Sequence, residues 1–200
     1  MPSELATQTR NAFEFVQKLY FEISYLIKEV EGLLQQQDDN FIILRSGGYS
    51  VTTRTSTGLE PQNVDYWLSE SFSVFFCPKE MTKTKGGATE TNIVDGLKLL
   101  ILHIKLIDKE IDEPQIFCGC LHNITSKKDT WRKFENLMWE FSYNGNKVFS
   151  KVPHIEYEDS YCSFKGELFQ EKLFSMRNSD DVVRKWIEPM VNLRITCGLQ

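Results

Sequence analysis

The residues best suited to chemistry are Cys118, Cys120 and His122, spaced two apart in the sequence. On a β-strand, residues two apart share a face, so both thiols and the imidazole would project to one side. The apolar run Leu97–Ile107 reads as the preceding strand, and the chain returns as Gln115–Ile124 after a short gap, an antiparallel hairpin. With its turn centred near Glu110-Ile111, that hairpin sets His103 roughly opposite Cys118. Two thiolates and two imidazoles form a ligand set that tetrahedral zinc accepts, which makes Cys118, Cys120, His122 and His103 the candidate metal ligands. Two facts oppose a metal. Same-face side chains on one strand lie about 7 Å apart, and no Cys-x-x-Cys pair is present. The competing reading is that these cysteines pack as small hydrophobes in an interior strand. Cys120 as a nucleophile, with His122 or His103 as base, meets the same objection, because burial raises a thiol pKa.

Three other constellations invite a chemical reading. Asp108, Glu110 and Asp112 carry oxygens at positions 1, 3 and 5 of a calcium-type loop, but Glu113 stands where that loop needs glycine, and Gly119 where it needs glutamate. A solvated hairpin tip accounts for them. Lys83–Thr89 has the composition of a phosphate loop with the order wrong, and no helix pattern follows it. Glu156, Glu158 and Asp159 cluster beside His154, the one place where acid and imidazole are near neighbours in sequence. A surface turn explains that cluster equally well.

These residues must be held by the elements around them. Phe13, Val16, Leu19, Tyr20, Ile23, Leu26, Ile27, Val30, Leu33 and Leu34 recur at three- and four-residue steps, the stripe of an amphipathic helix over about 8–36. Such a helix overreaches one small sheet, so part of its stripe is free to serve as a seam with another copy, with Leu26 and Val30 as seam candidates. Phe41–Leu44, Tyr49–Thr55 and Phe72–Cys77 read as strands. The polar stretch about 79–96 reads as a long mobile loop. Leu97–Ile107 is apolar on both faces for much of its length and is therefore expected to be central. Ser126 caps a helix carrying Trp131, Phe134, Leu137, Met138 and Phe141, and Asn144-Gly145 either ends it or turns a hairpin. Val148–Tyr157 and Tyr161–Phe164 suit a further hairpin. Ser179 caps a short helix that Pro189 ends, and Val191–Thr196 suits a last strand. The expected fold is α+β in a single domain over 1–200: a long N-terminal helix on a mainly antiparallel sheet of about 6–8 strands, with two further helices.

This order of elements resembles the core of restriction-endonuclease-type nucleases. Those enzymes hold their metal with an acidic residue two positions before a lysine, and no lysine in this chain has Asp or Glu there. Nor is there a nucleophile elbow, a zinc-protease helix motif or a dinucleotide-binding glycine turn.

Composition narrows the classes further. At 41% hydrophobic and 26% charged the chain is ordinary for a globular protein, and a net charge of −5 does not indicate nucleic acid as a partner. Met1–Arg10 lacks the pattern of a secretory signal, and no apolar run is long enough to span a bilayer. The five cysteines, Cys77, Cys118, Cys120, Cys162 and Cys197, show no disulfide framework, so free thiols in the cytoplasm are expected. The sequon Asn123-Ile124-Thr125 carries no weight without secretion. The expectation is a non-enzymatic cytoplasmic interaction or regulatory domain, a homo-oligomer or one bound to a partner protein, with no cofactor. Two alternatives come from other classes: a metal-dependent hydrolase or nuclease-like enzyme with non-local ligands, and a small-molecule binder with an aromatic pocket.

Overall fold

A computed structural model describes residues 2–45, 68–85, 88–91, 96–107, 111–127, 148–149, 151–160 and 162–197. The chain opens with helix α1 (Pro2–Gln35), starting six residues before the periodic stripe suggests. Proline suits that first turn, where its missing N–H has no acceptor to lose. At 34 residues α1 is about 50 Å long. Ile23, Ile27, Val30 and Leu34 along its second half are buried against the sheet, while Leu5, Phe13, Phe15, Phe21 and Tyr25 are exposed. Val30 thus belongs to the core, and Leu26 is partly buried against it.

Among the described residues the sheet is six-stranded and antiparallel throughout, in the order β1 (Phe41–Ile43), β2 (Ser71–Pro78), β5 (Leu99–Lys105), β6 (Gln115–Ser126), β8 (Cys162–Lys172), β7 (His154–Glu158). With its long N-terminal helix and C-terminal helices, the molecule is an α+β fold. Every residue of β5 is buried, as a central strand with both faces covered requires. One face packs under α1 and the C-terminal helices, through Val74, Phe76, Leu100, Leu102 and Cys118. The other face buries Phe75, Ile101, Phe117, Leu121 and Phe164 against Val148 and Phe149.

Three elements differ from the sequence reading. The stretch 79–96 was expected as a loop, yet it holds a 3-10 turn (Lys79–Met81) and a separate hairpin of β3 (Thr82–Lys85) and β4 (Ala88–Thr91). Its threonines alternate with charged residues, a half-exposed strand pattern. The strand expected at Val191–Thr196 is instead helix α3 (Glu188–Thr196). It continues from α2 (Ser179–Val182) through a π-helical turn, Val183–Ile187. Pro189 lies directly after the π-helical turn, in the first turn of α3, so the helix runs on through it instead of ending there. The cap of α2 is Asn178, whose side chain accepts from the Asp181 N–H at 2.9 Å, one residue before the serine expected. Finally, β7 begins only at His154, and Val148–Phe149 are helical. The expected strand Tyr49–Thr55, the Trp131–Phe141 helix and the alternative at Asn144-Gly145 lie outside the described residues.

Arg194 fastens the end of α3. Its guanidinium pairs with Asp39 and lies 5.0 Å from the centre of the Phe41 ring, and its carbonyl accepts from Lys98 Nζ at 2.9 Å.

Candidate functional site

The register of the sheet decides which reactive side chains meet. The β5–β6 hairpin pairs Leu102 with Cys118 and His103 with Phe117, one residue away from the expected alignment. Because faces alternate along a strand, that single step sends His103 to the face opposite Cys118 and Cys120. His103 Nδ1 is hydrogen-bonded to Ser73 Oγ at 2.7 Å, across the sheet on β2, and its ring stacks on Phe149 with centroids 4.0 Å apart. Burial, with the nearby Lys105 charge adding, lowers its pKa to about 3, so the imidazole is neutral. It acts as an aromatic member of the second core.

Cys118 is fully buried beneath the helices, and burial pushes its thiol pKa well up. His122 falls by alternation on the same side as the two cysteines; it is buried, and neither ring nitrogen has a hydrogen-bond partner among the described residues. The structure therefore keeps Cys118, Cys120 and His122 on one face without His103. Among the described residues no group of three or more His, Cys, Asp or Glu side chains is arranged to hold a metal ion.

Cys120 has another partner. Its sulfur lies 3.0 Å from the sulfur of Cys197, the residue that closes α3. The two thiols share a hydrogen bond that splits their acidities: Cys197 is lowered to about 7, and Cys120 is pushed far up, with burial adding to the rise. Either sulfur can donate in this contact, and Cys197 is the one that tends towards thiolate. A helix C-terminus carries about half a negative charge, which opposes a thiolate there. The Lys98 ammonium, bonded to the Arg194 carbonyl in that last turn, offsets it and also favours the Cys197 anion.

The same register extends outward. Cys120 pairs with Glu167 on β8, and Glu167 with His154 on β7, so the three share one row on the helix-facing side. His154 Nδ1 binds the Glu167 carboxylate directly. A cleft of about 680 Å³ opens between this row and α3, lined by His154, Glu167, Phe169, Pro189, Leu193 and Thr196 among others. The acidic residues near His154 in sequence go elsewhere: Glu156 pairs with Lys165 at 3.1 Å, Glu158 with Lys127 at 2.5 Å, and Asp159 accepts from the Cys162 N–H at 2.7 Å. The Lys127 ammonium holds the Glu158 carboxyl below its ordinary pKa. Asp112 and Glu113 stand at the chain reversal before β6, where Glu113 pairs with Lys172. Lys83 and Thr84 lie in the β3–β4 hairpin and head no helix.

Sequence reasoning missed Glu167 and Cys197. Glu167 is 13 residues from His154, and Cys197 is 77 residues from Cys120; only the strand register and the docking of α3 bring them together. No family model, no curated protein and no solved structure matches this chain. No helix among the described residues is long and apolar enough to cross a membrane.

Proposed function

We propose that this chain is a non-enzymatic interaction or regulatory domain of the cytoplasm, and that it self-associates through the N-terminal part of α1. The observation that carries this reading is the exposure of that helix beyond the sheet: Leu5 is 66% and Phe13 63% accessible. Leu5 stands about five turns before Ile23 on the same line of the helix, so the apolar stripe that seals the core simply continues into solvent. Phe15 adds exposed aromatic surface on the flank of that line, while Phe21 and Tyr25 are exposed on the opposite face of α1. Contiguous exposed apolar surface of this kind marks interaction sites.

The occupant is a second copy of the same helix. Glu4, Arg10, Glu14, Lys18 and Glu22 alternate in sign along α1. An antiparallel copy centred on Val16 sets Arg10 level with the other copy's Glu22, and Lys18 level with its Glu14. A parallel copy would set like charges level.

Size-exclusion chromatography with light scattering tests this. The wild-type protein is expected to run as a dimer at micromolar concentration. A double variant, Leu5→Glu with Phe13→Glu, is expected to run as a folded monomer with an unchanged circular dichroism spectrum, because neither side chain is in the core. A wild-type monomer at high micromolar concentration, or a variant that still dimerises, refutes the reading.

A further inference from the structure

We propose that Cys120 and Cys197 form a redox-active dithiol that a hydroperoxide converts to a disulfide, tying the end of the last helix to the central strand β6. Five observations converge on it. The sulfurs are 3.0 Å apart in the reduced protein, close enough to bond with little movement of either side chain. They lie on elements that are already fixed: β6 is hydrogen-bonded on both sides, and α3 is held by the Arg194–Asp39 pair and by Lys98. The two sulfurs are unlike, since Cys197 tends towards thiolate while Cys120 stays protonated, which suits an attacking and a resolving thiol. The cleft beside α3 is lined by Thr196, so open space comes within one residue of Cys197. Finally, burial raises the thiol pKa of Cys77 and of Cys118, which sets both apart from Cys197.

The electrons balance in two steps. The Cys197 thiolate attacks one peroxide oxygen; the O–O bond breaks, the sulfur becomes a sulfenic acid, and hydroxide (for an alkyl hydroperoxide, alkoxide) leaves. The sulfur of Cys120 then displaces the sulfenic hydroxyl, forming the S–S bond, and its proton leaves with that hydroxyl as water. Two electrons pass from the sulfur pair to the peroxide, and an external dithiol reverses the change.

This proposal goes beyond self-association and involves none of the same residues, so either can fail alone. The test is to expose the reduced, folded full chain to hydrogen peroxide, quench with an alkylating reagent in denaturant, and map the peptides. Two of the five thiols are expected to disappear with a mass loss of about 2 Da, in a single Cys120–Cys197 linkage that dithiothreitol reverses. The rate is expected to rise with pH through about 7. Cys120→Ser should stop at a sulfenic acid on Cys197, trapped by dimedone. Cys197→Ser should react at least about tenfold more slowly, and Cys118→Ser should behave as wild type. Retention of all five thiols, a linkage through any other cysteine, or a bridge that forms only in denaturant overturns the assignment.

Discussion

Replacing Gly119 by alanine isolates how tightly β6 and β8 are joined beside the thiol pair. A Cβ built at Gly119 lies 2.1 Å from the Glu167 carbonyl oxygen, 2.7 Å from Leu168 Cδ2 and 2.8 Å from Leu168 Cα. Two of these atoms are backbone, so no rotamer change relieves the contact and the strands themselves must part. Overpacking in a core costs about 1–3 kcal/mol, and each weakened ladder hydrogen bond adds about 1 kcal/mol. The expected loss is therefore about 3–5 kcal/mol, a large share of the roughly 5–15 kcal/mol that holds a domain together. At about 2–4 °C per kcal/mol for a chain of this size, the melting temperature should fall by about 6–20 °C. The same substitution at Gly32 has the opposite sign. Gly32 is inside α1 with no atom within 4 Å of a new Cβ, so alanine should add about 0.5–1 kcal/mol through helix propensity. Urea titration followed by circular dichroism measures both. A Gly119→Ala protein within about 0.5 kcal/mol of wild type, or a Gly32→Ala protein less stable than wild type, would refute the reasoning.

Two further outcomes follow from the cores. His103 is neutral in the fold with a pKa lowered to about 3, against 6.5 in the unfolded chain. Below pH 6.5 the unfolded chain takes up a proton that the fold refuses, so this group's share of stability is intact above that pH and is lost as pH falls towards 3. Between pH 7 and pH 5 the loss is about 2 kcal/mol, and a His103→Phe, Ser73→Ala double variant should lose that much less over the same interval in urea; equal losses would contradict it. Trp186 is fully buried in the π-helical turn beneath α1, and Trp186→Ala should cost about 3–5 kcal/mol by the same assay, a loss under about 1 kcal/mol being incompatible with its placement.

Local chemistry was legible wherever a period ran long enough. The stripe from Ile23 to Leu34 announced the helix and its buried side, and the apolar run at 97–107 announced a central strand. The β3–β4 hairpin carried a readable signal too, Thr-Lys-Thr-Lys before Gly86-Gly87, but a polar composition resembles a loop when neither face is apolar. Pro189 was ambiguous for a physical reason: a residue without an N–H commonly stops a helix, and here the preceding π-helical turn lets the helix run on past it. The sequence also marked Cys120 and His154 as chemically interesting without naming Cys197 for the one or Glu167 for the other.

The sequence by itself determined the α+β class, the long amphipathic helix and the antiparallel return from β5 to β6, because each follows from short-range periodicity. Only the tertiary structure decided that His103 faces away from the cysteines, that Glu167 meets His154, and that Cys197 comes to rest against Cys120. Those outcomes depend on strand register, where a slip of one residue exchanges the two faces of a sheet, and on how the last helix docks. No local pattern encodes either, since both are settled by packing between segments far apart in the chain.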